Sequence, residues 1–152
     1  MIYLLDVNVL LAVCYRMHDL HTRAYAWIAS LEEVEGSTRL ATCSITELGF
    51  VRVASGVAGL AQNVSTALSD LKRLKEQRRP VFLNDGVPAE QLPQWVKKPK
   101  QITDGHLLRL ATINGGVLAT LDEGIPGALL IPDISTDSVF VREPLPRYGA
   151  AA

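Results

Sequence analysis

Cysteine is scarce in this chain: Cys14 and Cys43 are its only two, both in apolar surroundings and without Cys-x-x-Cys spacing. That excludes a disulfide scaffold and a zinc knuckle, and predicts two small thiols inside a protein of a reducing compartment. Long apolar runs are missing too. The stretch from Val7 to Tyr15 is well short of the ~20 residues that a membrane-spanning helix needs. Asp6 interrupts the apolar start and no Lys or Arg precedes it, so no signal peptide is expected and the cytoplasm is the expected location. There is no charge excess either: 15 Lys and Arg face 16 Asp and Glu, for a net charge of −1. This excludes a globally basic nucleic-acid coat but leaves local patches open. Gly (11) and Pro (8) are ordinary in number, which rules out collagen-like and linker-type chains.

What is present is a 152-residue chain that is 48% apolar and 20% charged, a balance that excludes intrinsic disorder. A chain this long can bury about 68–70% of its unfolded surface, enough for one core. With no internal repeat, low-complexity block or linker, residues 1–152 are expected to form one domain, with the tail from about 133 least defined.

Strand and helix signals alternate. Ile2 to Leu5 reads as a strand buried on both faces, and Asn8 as a cap for the apolar turn Val9 to Val13. Ala24, Trp27, Ile28 and Leu31 recur at helical spacing in a helix that Gly36 ends. A strand is expected over Leu40 to Cys43, then a helix bracketed by Ser44 and Glu47 and running toward Gly56. Asn63 opens a longer helix that Pro80 stops. Val81 to Leu83 reads as a strand, and Thr103 or Asp104 as a helix start ended by Asn114-Gly115-Gly116. Val117 to Leu121 is the next strand, followed by one more at either Ala128 to Ile131 or Val139 to Val141. This order predicts an α/β fold, a mostly parallel sheet with helices on both faces. Tyr3, Trp27 and Phe50 are expected in its core.

Four acids fall at special places in that order. Asp6 and Asp122 close strands, while Glu47 and Asp104 lie in first turns of helices. In a parallel sheet those positions share the edge where ligands bind. Each acid also has a structural reading: Asp104 suits a helix dipole, Ser44-Ile45-Thr46-Glu47 matches a capping box, and Asp122 precedes a turn. Asp6 has apolar neighbours on both sides and no turn residue, so its charge needs a partner. Gathered carboxylates repel one another, and a divalent cation relieves this. An all-oxygen site suits Mg²⁺ or Mn²⁺ rather than zinc, and such clefts can hydrolyse phosphodiesters.

These segments resemble a known family. Leu4-Leu5-Asp6-Val7-Asn8-Val9-Leu10-Leu11, Thr46-Glu47-Leu48-Gly49-Phe50-Val51-Arg52-Val53, Thr103-Asp104-Gly105-His106-Leu107-Leu108 and Ala119-Thr120-Leu121-Asp122 look like the four blocks of a PIN domain, in order. More closely, the chain is similar to the VapC-type toxins of type II toxin–antitoxin systems, as is His18-Asp19-Leu20-His21 with Trp27 behind it. The resemblance implies a metal-dependent endoribonuclease, active on structured RNA and held inactive by a small protein antitoxin, as a homodimer or a toxin–antitoxin hetero-oligomer. It also implies that Asp6 and Asp104 are the principal Mg²⁺ ligands, that Asp122 completes the site, and that Glu47 assists through water. Asn8 and Thr120 would orient ligands or the metal's waters.

Lys72, Arg73, Lys75, Arg78 and Arg79 form a basic cluster, and Lys97, Lys98 and Lys100 a second one; each is either an RNA-phosphate rim or a solvated surface. Arg109, a helical turn beyond Asp104, could stand near the cleft. His18, His21 and His106 lack metal-triad spacing, while His106 is a candidate general base. The apolar segments Val9 to Val13 and Val51 to Ala54 could leave a groove for a partner. Two other functions compete. A haloacid-dehalogenase-like phosphohydrolase would want an acid where Asn8 stands and a lysine shortly before Asp122. A non-catalytic acidic α/β module would want paired acids at the first strand end and an acceptor Asp, which Leu83-Asn84-Asp85 fits poorly.

Overall fold

Five parallel strands order the molecule. The structure, a computed structural model, describes residues 1–32 and 36–134. The strands are β1 (Ile2–Leu5), β2 (Arg39–Cys43), β3 (Val81–Leu83), β4 (Val117–Thr120) and β5 (Leu129–Leu130), paired in the order β3-β2-β1-β4-β5. Their connections carry α1 (Val7–Cys14), α2 (His21–Glu32), α3 (Ser44–Gly56), α4 (Val64–Arg78) and α5 (Ile102–Ile113). The expected α/β sandwich is therefore what forms. The last strand takes the first of its two expected positions; the other, Val139 to Val141, lies outside the described residues.

The alternation of β1 splits the core in two. Leu5 packs with α1, α2, α3 and α4 on one face, while Leu4 packs with α5, Ala41, Leu83 and Leu118 on the other. Phe50 of α3 is fully buried and stacks on Tyr15 at 5.8 Å, and Tyr3 meets Trp27 edge-on at 5.3 Å. Full burial of one such side chain contributes about 1.5–3 kcal/mol. Val9 to Val13 are buried in this core, so α1 leaves no open apolar groove, contrary to the sequence expectation.

Two caps also differ from expectation. Asn8 lies inside α1, whose cap is Asp6: its Oδ1 accepts from the Val7 amide at 2.7 Å. At α3 the cap is Cys43, whose amide donates to Thr46 Oγ1 at 3.1 Å, one residue ahead of the Ser44 pattern. Glu47 is thereby released from any capping role. Asn63 does cap α4, accepting from the Thr66 amide at 2.8 Å.

Gly49 lets α3 close on α1 immediately beside the acidic edge. A Cβ there would stand 2.6 Å from Val7 Cγ2, and the branched Val7 side chain has little rotameric freedom to yield. Gly49→Ala gains about 1 kcal/mol of helix propensity but incurs overpacking of about 1–3 kcal/mol. A net loss of stability, read as a lower urea midpoint at unchanged slope, is the expected outcome.

Candidate active site

The chain runs outward from β1 through β2 to β3, then returns to place β4 on the other side of β1. That reversal opens a crevice at the carboxyl ends of β1 and β4, where doubly wound sheets bind ligands. The register pairs Leu5 with Ala119, and the Asp6 amide continues the ladder to the Ala119 carbonyl at 3.0 Å. Asp6 therefore stands beside Thr120, with Asp122 just beyond.

Asp6 is 8% exposed, yet its bonding partners among the described residues are both neutral donors, the Val7 amide and the Thr120 hydroxyl, the latter at 2.8 Å. Burial raises its pKa above the usual 3.8; the two hydrogen bonds oppose that rise and the charge of Asp122 adds to it. Asp104 comes from the first turn of α5, where Gly105 permits close contact with Leu92, Pro93 and Val96. Its pKa is also raised, first by burial and then by the charges of Asp6 and Asp122. Three of the four acids thus lie within one another's field. Among the described residues, no Lys or Arg forms an ion pair with any of the three.

Thr120 and Asn8 brace this group. Thr120 is fully buried; its hydroxyl donates to Asp6 and accepts from the Asp122 amide at 3.1 Å. Asn8 reaches the same hydroxyl with Nδ2 at 3.5 Å and accepts from the Leu121 amide at 3.3 Å. Asp122 is exposed, and its Oδ1 accepts from the Gly124 amide at 2.8 Å.

Glu47 stands apart electrostatically. Its Oε1 accepts from the buried Thr42 hydroxyl and pairs with Lys75 Nζ, both at 2.7 Å. Neither contact is readable from local pattern, since Thr42 lies on β2 and Lys75 on α4.

The donors fit a hard divalent cation in kind: oxygen only, with three like charges within one another's influence and none neutralised by a protein cation among the described residues. Among the described residues no three His, Cys, Asp or Glu side chains are near enough to hold a metal ion as they stand. Closing around one ion requires the carboxylates to draw together, and the exposed Asp122 has room to do so.

No family model matches the chain. It is 38% identical over 135 residues to Ribonuclease VapC44 of Mycobacterium tuberculosis, covering 82% of this chain and 92% of that protein. It is 36% identical over 128 residues to Ribonuclease VapC38 of the same organism, covering 80% and 86%. This chain belongs to the VapC ribonuclease family. The solved structure of VapBC2 from Rickettsia felis, bound to a DNA fragment from its promoter, shares the fold at a TM-score of 0.59 and 15% identity, over 85% of this chain and 96% of that one. The expected resemblance to VapC-type ribonuclease toxins is borne out, and the phosphohydrolase and non-catalytic readings are set aside.

Other expected site residues of this VapC-family chain fall elsewhere. His106 Nε2 is 2.7 Å from Asp85 Oδ2, so its ring is engaged at the end of β3. Of the basic cluster, Arg73 pairs with Asp70 at 3.4 Å and Arg78 with Glu32 at 2.6 Å, while Lys72 and Arg79 are exposed. Arg109 carries a buried Nε with no hydrogen-bond partner among the described residues. No described helix is long and apolar enough to cross a membrane.

Proposed function

We propose that this VapC-family chain hydrolyses RNA phosphodiester bonds with Mg²⁺, or Mn²⁺ in its place, held by Asp6, Asp104 and Asp122. The observation that carries the reading is that these three aspartates lie within one another's electrostatic influence at the sheet's switch point, with no Lys or Arg paired to them among the described residues. A divalent cation bound there supplies Lewis acidity to the phosphate and makes water nucleophilic near neutral pH. The residues do the positioning. The Val7 amide and Thr120 hydroxyl fix both oxygens of Asp6, while Asn8 ties α1 to the turn that carries Asp122. Glu47 would accept the proton of the attacking water, whose oxygen bonds to phosphorus as the P–O ester bond breaks and the departing oxygen takes a proton from solvent.

The deciding experiment incubates purified protein with bulk cellular RNA and sequences the new ends. Discrete cuts with Mg²⁺ or Mn²⁺, lost in EDTA and regained on adding metal back, are expected. Equal cutting in EDTA would rule out the metal site.

A small protein antitoxin is the proposed partner, in a toxin–antitoxin hetero-oligomer or beside a homodimer. Supporting this, the packed helices α3 and α4 leave Leu48, Val64 and Leu68 exposed. RNA phosphate is assigned to Lys72, Arg73 and Arg79, the bases of the cluster left most exposed. Replacing these three by Gln in the Asp6→Ala background should weaken binding to unrelated RNAs alike. It should also flatten the salt dependence by about 0.7–0.9 per lost contact. Identical salt slopes would return the cluster to a solvated surface.

A further inference from the structure

We propose that Lys75 is a positioning residue for Glu47, acting on the reaction through that carboxylate rather than through RNA phosphate. The inference rests on the reading of Glu47 as the proton-accepting acid of the site. Lys75 sits amid basic residues of α4, yet it turns away from them: its Nζ lies 2.7 Å from Glu47 Oε1 and 5.7 Å over the Phe82 ring. The ammonium is thus held by a carboxylate and by an aromatic face. Phe82 is the register partner of Thr42, so the ring and the second Oε1 donor come from adjacent strands, β3 and β2.

The asymmetry at Glu47 is what matters. Both donors, Thr42 Oγ1 and Lys75 Nζ, converge on Oε1, and Oε2 has no hydrogen-bond partner among the described residues. A carboxylate gripped at one oxygen by two donors cannot swivel freely, and its other oxygen is the one left to take a proton. The ammonium also offsets the Glu47 charge, so a fourth acid can stand at this edge without adding an unpaired charge to three repelling aspartates. Phosphate capture by Lys75 would require breaking this charge-assisted contact. Lys72 and Arg79, exposed on the same stretch, have no ion pair to break among the described residues.

The test compares Lys75→Met, Lys75→Arg, Glu47→Ala and the double variant Lys75→Met/Glu47→Ala in the full chain, with bulk cellular RNA as substrate. General acid–base assistance is worth about 10²–10⁴-fold, and a loosened Glu47 forfeits part of it, so Lys75→Met should lower kcat by about tenfold or more. KM should stay within about twofold, and Lys75→Arg should recover most of the rate. In the Glu47→Ala background, Lys75→Met should change the rate by less than about twofold, because both act through one group. A readout independent of turnover is RNA binding by the Asp6→Ala protein, whose salt slope should be the same with and without Lys75→Met. Multiplying losses in the double variant, or a flattened salt slope, would overturn the proposal in favour of a phosphate contact. If Lys75→Met does not fold, Lys75→Gln is read in the same way, and an unchanged kcat there also overturns it. A wild-type protein that cuts no RNA defeats the function reading. A wild-type protein that cuts as well as Lys75→Met defeats this inference alone.

Discussion

Asp6→Asn should abolish RNA cleavage while leaving a folded protein that is more stable than wild type near neutral pH. Asn keeps a side-chain oxygen for the Val7 amide, which Ala would not, so the α1 cap survives. The gain comes from the charge that disappears. Asp6 and Asp104 both have pKa values raised above 3.8 by burial first and by neighbouring carboxylates in addition. An acid whose folded pKa is raised binds its proton more tightly when folded. Its contribution to stability is therefore fully present below about pH 3.8 and is lost as pH rises through the raised folded value. Asp6→Asn and Asp104→Asn lack that loss. The stability difference, variant minus wild type, should thus grow as pH rises from about 4, and it is measured by urea unfolding at a series of pH values. Added Mg²⁺ should raise the wild-type midpoint at neutral pH and leave that of Asp6→Asn nearly unmoved. Full cleavage by folded Asp6→Asn would remove these aspartates from the reaction.

Thr120→Val is expected to damage both stability and activity although it conserves shape. The buried hydroxyl serves Asp6, the Asp122 amide and Asn8 at once, and valine serves none of them. Leaving buried polar groups unpaired costs about 1–3 kcal/mol, so the urea midpoint should fall clearly. Thr120→Ser, which keeps the hydroxyl, should recover most of that loss. Asp6 would lose the donor at Oδ2, and Asp122 the contact that sets its turn, so cleavage should drop by about tenfold or more even where the protein is folded. Normal cleavage by folded Thr120→Val would reduce Thr120 to a packing role.

The strand and helix order, the parallel sheet and the core aromatics were legible because each follows from local periodicity and from short turn signals. Asp6 was legible for a related reason: a carboxylate among apolar residues at a strand end stands out, although its use as the cap of α1 was not visible in the pattern. The expectation that four acids share one edge followed from the parallel order alone, since the strand carboxyl ends and the following helix starts of such a sheet lie on one side. What the tertiary structure alone decided are contacts between residues far apart in the chain. Local pattern suggested a Ser44-to-Glu47 capping box; Cys43 and Thr46 make the cap one residue earlier, and packing brings the distant Lys75 to the freed Glu47. The basic stretch read as one surface until packing turned Lys75 toward Glu47 and Arg78 toward Glu32. His106 had a free reading until β3 brought Asp85 within 2.7 Å. A side chain's neighbours along the chain set its backbone conformation, but its charge partners are set by which elements the core brings together. The sequence therefore determined the fold and the acidic edge, while the pairing of Glu47 with Lys75 was decided by the packing of α3 against α4.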